Sequence, residues 1–285
     1  SGTITNDFTS PVTYAVLAED EIANQDWTVI VHSRTVTVAD SLALVALYNA
    51  TDGDNWTNKV NWLTGPVNTW NGVIIRNGRI NNLYLVSNSL SGTIPAELWT
   101  LTKLDALYLY DNSLTGPIPK EVENLTLLRA LNLVNNSLTG SIPSELGTLS
   151  NLFLLALGGN TLGGIIPSSL GSLNKLNELS LNHNSFTGSI PVELGNLANL
   201  IKLNLNNNPN LGGSIPNGIT ALSLSLLSFQ VTMICEPADA AYQSWKEEVI
   251  TYAPSGLVCN TETDITTFSF TEQTSEVTPN STTHT

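Results

Sequence analysis

From residue 80 onward, leucines recur at long fixed intervals instead of following the rhythm of a single helix or strand. The clearest copy runs from Leu128 to Pro143 and reads Leu-Arg-Ala-Leu-Asn-Leu-Val-Asn-Asn-Ser-Leu-Thr-Gly-Ser-Ile-Pro. Copies begin at Ile80, Leu104, Leu128, Leu152, Leu176, Leu200 and Leu224, a constant period of 24 residues. In each copy the residues at positions four, six and eleven should point inward, and the stretch around the first two should be a short strand.

A period of this length with this leucine spacing is typical of a leucine-rich-repeat solenoid. The predicted fold is an α/β-type superhelix with a parallel β-sheet on the concave side and 3-10 or irregular turns on the convex side. Each repeat contacts only its neighbours, so both ends of the stack need caps. We expect helical caps, and β-strand pieces of an Ig-like sandwich beyond each of them.

An asparagine occupies position nine of successive repeats: Asn88, Asn112, Asn136, Asn160, Asn184 and Asn208. Such a column could be mistaken for a binding site. An asparagine there can instead satisfy backbone groups where the chain turns away from the strand. A glycine column from Gly92 to Gly213 marks a backbone position that needs conformational freedom, and the Ile-Pro pairs that follow fix an extended turn.

The Gly-x-Ile-Pro element resembles the repeats of plant receptor ectodomains over residues 80–222. That resemblance implies a second short strand in each turn and a twisted superhelix. Plant receptors usually carry a cysteine pair in the N-terminal cap, and this chain has none there. The cap segment from Tyr48 to Trp56 is more similar to secreted bacterial or algal proteins that use the same repeat.

The caps are predicted on either side of the repeats at 80–234, which comprise six full copies and one terminal copy. In the N-terminal cap, residues 39–79, Asp40 or Ser41 should begin a helix. Trp56, Trp62 and Trp70 should plug the open core, although a ligand-stacking platform is the alternative. In the C-terminal cap, residues 235–259, a helix starting at Pro237 should place on one face Tyr242, Trp245, Val249 and Tyr252.

The two ends of the chain resemble pieces of the small Ig-like modules found in tandem on bacterial surface proteins. Residues 1–38 carry Thr13 to Asp20 and Trp27 to Val31, which match the last strands of such a module. Residues 260–285 are Thr-rich and contain the alternating stretch from Ile265 to Phe270, which matches the opening strand. The solenoid would therefore interrupt a tandem array, or the two pieces would be the cut ends of a longer protein.

Composition limits the partners and the compartment. The chain has 285 residues and a formal net charge of -14, which disfavours nucleic acid and anionic membranes as partners. No stretch has the roughly 18–20 uninterrupted apolar residues of a membrane span. Two cysteines, Cys235 and Cys259, bracket the C-terminal cap. A disulfide between them is expected and would imply an oxidising compartment; buried free thiols are the alternative.

The sequence carries no recognisable metal-binding or catalytic motif. The histidines His32, His183 and His284 lie in three different regions and share no metal-ligand spacing. Asp52, Asp54 and Asn55 could suggest calcium, but the other ligands of a calcium loop are missing and a turn is the simpler interpretation. We therefore predict no catalytic residues, no metal and no cofactor.

The outward positions of the concave strands are the candidate binding surface. The eight candidate residues are Tyr84, Asp105, Tyr108, Tyr110, Asp111, Arg129, Asn132 and Phe153. Tyrosine together with arginine is typical of recognition patches. The alternative is that the three tyrosines only stack as a ladder across strands. Later repeats are rich in asparagine, which would also suit a glycan.

Three functions compete. The leading one is a non-enzymatic extracellular or cell-surface recognition and adhesion module that binds a protein or glycan. The second is a structural subunit that assembles head to tail by strand exchange between the terminal Ig-like pieces. The third is ice binding through repeated hydroxyl columns: Ser89, Ser113, Ser137, Thr161 and Ser185, with Ser91, Thr115, Thr139 and Thr187 two residues on.

Overall fold

The computed structural model describes residues 36–249 and 251–259, together with two short strands nearer the N-terminus. In chain order the strands are β1 (Tyr14–Ala15), β2 (Thr28–Val29), β3 (Val73–Arg76), β4 (Arg79–Tyr84), β5 (Ser91–Thr93), β6 (Ala106–Tyr108), β7 (Ser113–Pro117), β8 (Ala130–Asn132), β9 (Ser137–Thr139), β10 (Leu154–Ala156), β11 (Gly163–Ile165), β12 (Glu178–Ser180), β13 (Ser185–Ser189), β14 (Lys202–Asn204), β15 (Asn210–Ser214), β16 (Leu226–Ser228), β17 (Met233–Glu236), β18 (Thr251–Ala253) and β19 (Leu257–Val258). The α-helices are α1 (Val38–Ala50) and α2 (Ala240–Lys246). The 3-10 turns are Gly53–Asn55, Val67–Thr69, Ala96–Thr100, Lys120–Asn124, Ser144–Thr148, Ser168–Ser172, Val192–Asn196 and Asn217–Ala221.

The predicted solenoid is confirmed. One strand from each repeat joins a nine-stranded concave sheet in the order β18-β16-β14-β12-β10-β8-β6-β4-β3. All neighbours in it are parallel except β3 and β4, which form an antiparallel hairpin at the N-terminal end. Strands of adjacent repeats pair in register, as Leu83 with Leu107 and Leu107 with Leu131. The outward side chains therefore line up in columns along the solenoid.

The second short strand of each turn builds another surface, as the Gly-x-Ile-Pro resemblance implies. These strands form a three-stranded sheet, β5-β7-β9, and a five-stranded sheet, β11-β13-β15-β17-β19. A single parallel bridge between Ser141 and Gly163 links the two sheets. We call these two linked sheets together the second sheet.

Buried leucines fill the space between the two strand layers and the convex turns. Leu107, Leu109 and Leu114 are fully buried, as predicted for positions four, six and eleven. The asparagine column lies beside them and bonds backbone groups of adjacent repeats. The side chain of Asn160, for example, donates to the carbonyls of Leu133 and Leu157 at 3.0 Å and accepts from the N–H of Leu138 at 2.9 Å. The structural interpretation of this column is confirmed.

The N-terminal cap differs from the prediction in how its helix begins. The prediction of Asp40 or Ser41 as N-cap is wrong: Thr37 caps α1, and its hydroxyl accepts from the N–H of Asp40 at 3.2 Å. The buried carboxylate of Asp40 accepts instead from the N–H of Ile80 at 2.9 Å and pairs with Arg79 at 2.9 Å. Asp40 therefore ties the cap helix to the first repeat.

The tryptophan plug is confirmed. Trp56, Trp62 and Trp70 are buried, with ring centroids 4.8 Å apart for the first pair and 4.7 Å for the second. Each indole N–H donates to a backbone carbonyl, those of Thr51, Asn71 and Gly65 respectively. Buried rings with satisfied N–H groups cannot serve as a ligand platform, so that alternative is wrong.

The C-terminal cap is held by the expected disulfide between Cys235 and Cys259. The helix prediction was only partly right. Helix α2 begins after Asp239, whose carboxylate caps it, and ends at Lys246. Val249 and Tyr252 were also predicted on this helix. Val249 follows its end, and Tyr252 lies in β18, which adds a last strand to the concave sheet beside β16. A free strand edge of the final repeat is thereby covered.

Near the N-terminus, β1 and β2 pair antiparallel, with Tyr14 opposite Val29. The Ig-like assignment of residues 1–38 stays a prediction. The strand predicted over residues 265–270, and with it the strand exchange between the two ends, lies outside the described residues.

Candidate functional site

The concave sheet sets the positions of the candidate residues through strand alternation. Leu83, Leu107 and Leu131 point into the core, so their chain neighbours point outward. Register then places Tyr84 beside Tyr108 and Tyr108 beside Asn132 across three adjacent strands.

The three tyrosines form a continuous aromatic row, our name for Tyr84, Tyr108 and Tyr110. The rings of Tyr84 and Tyr108 are stacked with centroids 5.2 Å apart, and Tyr110 meets Tyr108 edge-on at 6.5 Å. The cross-strand stacking that the sequence left open is therefore present. Tyr84 nevertheless remains 37% exposed. Burial raises the pKa of Tyr108, and electrostatic interactions with Tyr84, Tyr110 and Asp105 raise it further.

The other candidates border this row. Asp105, Arg129 and Phe153 lie in successive repeats along one margin of the sheet. The backbone N–H of Arg129 donates to the carbonyl of Asp105 at 2.8 Å, and the backbone N–H of Phe153 donates to the carbonyl of Arg129 at 2.7 Å. Phe153 is 49% exposed. At the opposite margin, Asp111 accepts from the amide of Asn135 at 2.7 Å. All eight predicted residues thus share one face; that this face binds a ligand stays a prediction.

In the fourth repeat, the concave face carries small residues at Ala156, Gly158 and Gly159, and the aromatic region ends there. Ala156 and Gly158 are buried there, and Gly159 follows with a φ of 65°. A methyl group on Gly158 would lie 2.9 Å from the amide carbon of Asn182, because that side chain leans over the glycine. Beyond these small residues the face is rich in amides, with the ring of His183 3.0 Å from the amide nitrogen of Asn207.

Sequence reasoning missed Asn82, which lies under the aromatic row. Its side chain is only 9% exposed and its amide nitrogen donates to the Tyr84 hydroxyl at 2.7 Å. Its Oδ1 has no hydrogen-bond partner among the described residues. The available signal was a polar residue at position three, where the next two repeats carry Ala106 and Ala130.

The metal-ligating side chains of the described residues lie apart from one another. Across 36–249 and 251–259, no three side chains of His, Cys, Asp or Glu converge as metal ligands would. No helix in that part of the chain has the length and apolar character needed to cross a bilayer.

Comparison with known proteins agrees with this architecture. The family model described as a leucine-rich repeat region matches residues 82–248. Among solved structures, the plant peptide hormone receptor RGFR1 in complex with RGF2 is 36% identical with a TM-score of 0.59, over 65% of this chain and 29% of that chain. A plant ice-binding protein is 29% identical with a TM-score of 0.65, over 73% of this chain and 67% of that one. The BIR3–SERK2 complex from Arabidopsis thaliana is 33% identical with a TM-score of 0.53, over 61% of this chain and 95% of that one.

No curated protein matches the chain significantly. The chain spans less than a third of the hormone receptor chain that it resembles.

Proposed function

Since the chain belongs to the leucine-rich-repeat family, we propose that it is a non-enzymatic extracellular recognition module that binds a protein partner through its concave sheet. The observation that carries the proposal is the uneven concave face. Tyr84, Phe153 and Arg129 are exposed on the parallel concave sheet, and Tyr108 is partly exposed. Aromatic and arginine side chains are enriched at protein interfaces, and tyrosine and arginine are enriched among the few residues that dominate the binding energy.

Two further observations support an extracellular setting. The disulfide between Cys235 and Cys259 is of a kind that persists in oxidising compartments. Similar solved structures include the plant peptide hormone receptor RGFR1 in complex with RGF2 and the ectodomain of the Arabidopsis receptor kinase HAESA in complex with a peptide hormone ligand. Adhesion is a narrower version of this proposal. Glycan binding is an alternative to a protein partner, favoured by the amide-rich later repeats.

Binding partners selected from a displayed library of extracellular protein domains would test the proposal. Phe153→Ala and Asn132→Ala, both on the concave face, should each weaken binding about tenfold or more. Ser137→Ala and Glu121→Ala, on the second sheet and a convex turn, serve as matched controls and should leave it unchanged. Selected partners that are indifferent to the concave substitutions but sensitive to the controls would contradict the proposal.

Ice binding is the second candidate, and the second sheet is the observation that favours it. Ser91 pairs with Ser113, Thr93 with Thr115, and Thr115 with Ser137, so exposed hydroxyls repeat at the roughly 4.8 Å spacing of adjacent strands. Such a regular array could hold an ordered layer of water. The array is interrupted, because Pro117, Gly163 and Ile165 occupy equivalent positions.

A thermal hysteresis assay decides this second candidate. If the second sheet binds ice, wild-type protein should depress the freezing point without lowering the melting point, and Thr139→Lys should abolish the effect. Asn124→Lys, on a convex turn, adds the same charge elsewhere and should have no effect. Absence of hysteresis in the wild-type protein rules the candidate out.

A further inference from the structure

The aromatic row and two nearby carboxylates give this part of the concave face groups that attract a positive charge. The faces of the Tyr84, Tyr108 and Tyr110 rings carry negative quadrupole potential. The ring centroids of Tyr84 and Tyr108 are 5.2 Å apart, and those of Tyr108 and Tyr110 are 6.5 Å apart, so the three rings form one group across two adjacent repeats. A cation placed against such rings is attracted electrostatically.

Carboxylates stand at both ends of this row. Asp105 precedes β6, and Asp111 follows Tyr110 on the same repeat. Asp111 is oriented by neutral donors, the hydroxyl of Ser87 at 3.4 Å and the amide of Asn135 at 2.7 Å. The ion pairs among the described residues involve other carboxylates, those of Asp40, Glu178 and Glu236. Neither Asp105 nor Asp111 is therefore neutralised by an ion pair within this part of the chain.

Asn82 adds an independent observation. A buried acceptor without a donor is destabilising, and Asn82 Oδ1 is such an acceptor among the described residues. Reversing the amide would let Oδ1 accept from the Tyr84 hydroxyl but would leave the amide nitrogen without an acceptor. In either orientation one polar atom of this buried side chain lacks a partner among the described residues. Asn82 is paired in register with Ala106, next to Asp105.

We propose that Tyr84, Tyr108 and Asp105, beside the buried Asn82, form a subsite for a basic side chain, arginine in preference to lysine, presented by the protein partner. The inference rests on the proposed concave-face recognition. A guanidinium is planar, stacks on aromatic rings and carries five donors in a fixed fork, so it can engage an aromatic ring and a carboxylate together. An ammonium is a compact and more strongly hydrated charge.

Arg129 sets one boundary of this subsite. The backbone N–H of Arg129 donates to the backbone carbonyl of Asp105, so the two residues are adjacent on neighbouring repeats. Its side chain makes no ion pair with Asp105 or any other carboxylate in the described part of the chain. A like charge next to the subsite weakens cation binding. Removing this charge with Arg129→Gln should therefore strengthen it.

The test uses the full chain and two probe peptides, hexa-arginine and hexa-citrulline, which have nearly the same shape and differ in charge. Calorimetry should show that hexa-arginine binds at least tenfold more tightly than hexa-citrulline, and more tightly than hexa-lysine. Asp105→Asn should lower hexa-arginine affinity about tenfold, and Arg129→Gln should raise it. Glu97→Gln and Glu121→Gln are controls for Asp105→Asn, because they remove the same charge from convex turns. Lys120→Gln is the control for Arg129→Gln, because it removes a positive charge from a convex turn. All three controls should change the affinity for hexa-arginine little.

Equal binding of the two probes, or equal weakening by Asp105→Asn and Glu121→Gln, overturns the subsite. The latter result would mean that hexa-arginine responds only to the overall charge of -14. Selected protein partners that still depend on Phe153 and Asn132 would then leave the broader proposal standing. If partner binding also proved independent of Phe153 and Asn132, the proposed recognition through the concave face would be wrong.

Discussion

At the residue scale, the asparagine column shows how a repeated polar side chain can be purely structural. Asn136, Asn160, Asn184 and Asn208 are all buried, and each side chain bonds backbone groups of its own repeat and of the preceding one. These bonds lie where the chain leaves the concave strand and its carbonyls have no strand partner. The column therefore fastens one repeat to the next.

We predict that Asn160→Ala destabilises the protein by about 2–3 kcal/mol, because buried carbonyls and the Leu138 N–H lose their partner. Urea unfolding followed by circular dichroism measures this change. Asn124→Ala is the matched control, since Asn124 is exposed on a convex turn. Similar unfolding midpoints for the two variants would contradict the structural role.

At the scale of the element, the convex turns are not equivalent. Position twenty of the repeat holds Trp99 and Glu123 in the first two turns and Gly147, Gly171 and Gly195 in the next three. A methyl group on Gly171 would lie 2.6 Å from the Cβ of Glu193 in the following turn. These glycines let successive convex turns approach more closely than any side chain would permit.

Gly171→Ala should therefore destabilise the solenoid by about 1–3 kcal/mol through overpacking. Gly163→Ala is the control, because its added methyl would lie no closer than 3.4 Å to another atom and its φ is not positive. The two variants can be compared by thermal and urea denaturation. If Gly163→Ala proves at least as damaging, tight convex packing is not the reason for the glycine.

The C-terminal cap should respond to alkaline pH. The hydroxyls of Tyr242 and Tyr252 lie 2.6 Å apart. Burial raises the pKa of Tyr242 to about 12, and burial with the Tyr242 hydrogen bond raises the pKa of Tyr252 as well. Both phenols ionise more readily in the unfolded chain, near pH 10. Their contribution to stability is thus complete below pH 10 and is lost as pH rises through about 12.

Urea midpoints measured from pH 8 to 12 should fall above pH 10 in the wild-type protein. The decline should be shallower in Tyr252→Phe, which lacks one of the two titrating phenols. Parallel curves for the two proteins would show that other groups cause the alkaline loss.

At the scale of the whole molecule, the ends determine whether the stack is stable. The tryptophan plug closes one end, and α2, β18 and β19 close the other. Each interior repeat is stabilised by two neighbours, whereas a terminal repeat has only one. The disulfide between Cys235 and Cys259, 24 residues apart, secures the C-terminal end.

Replacing both cysteines with alanine should cost the C-terminal cap about 3–4 kcal/mol in the chain-entropy description of a loop of this length. Hydrogen exchange should then accelerate over residues 226–259 and change little over residues 104–180, because repeats couple only through neighbours. Uniform acceleration along the solenoid, or unchanged exchange in the cap, would contradict this localisation.

Much of the candidate face followed from the sequence. Once the period was known, Tyr84, Tyr108 and Phe153 were placed outward by register alone. The site's finer features did not follow. Whether the tyrosines stack, and that Asn82 lies buried with an unpartnered oxygen, depend on side-chain conformations that a repeat pattern does not encode.

The sequence by itself determined the repeats, their leucine core and their asparagine column, because every repeat meets the same local environment and contacts only its neighbours. The tertiary structure decided the caps. Asp40 turned from a predicted helix cap into a buried link to Ile80, and Tyr252 left a predicted helix for the last strand of the concave sheet. Both outcomes depend on contacts between segments that occur once in the chain, where no periodicity can indicate the partner.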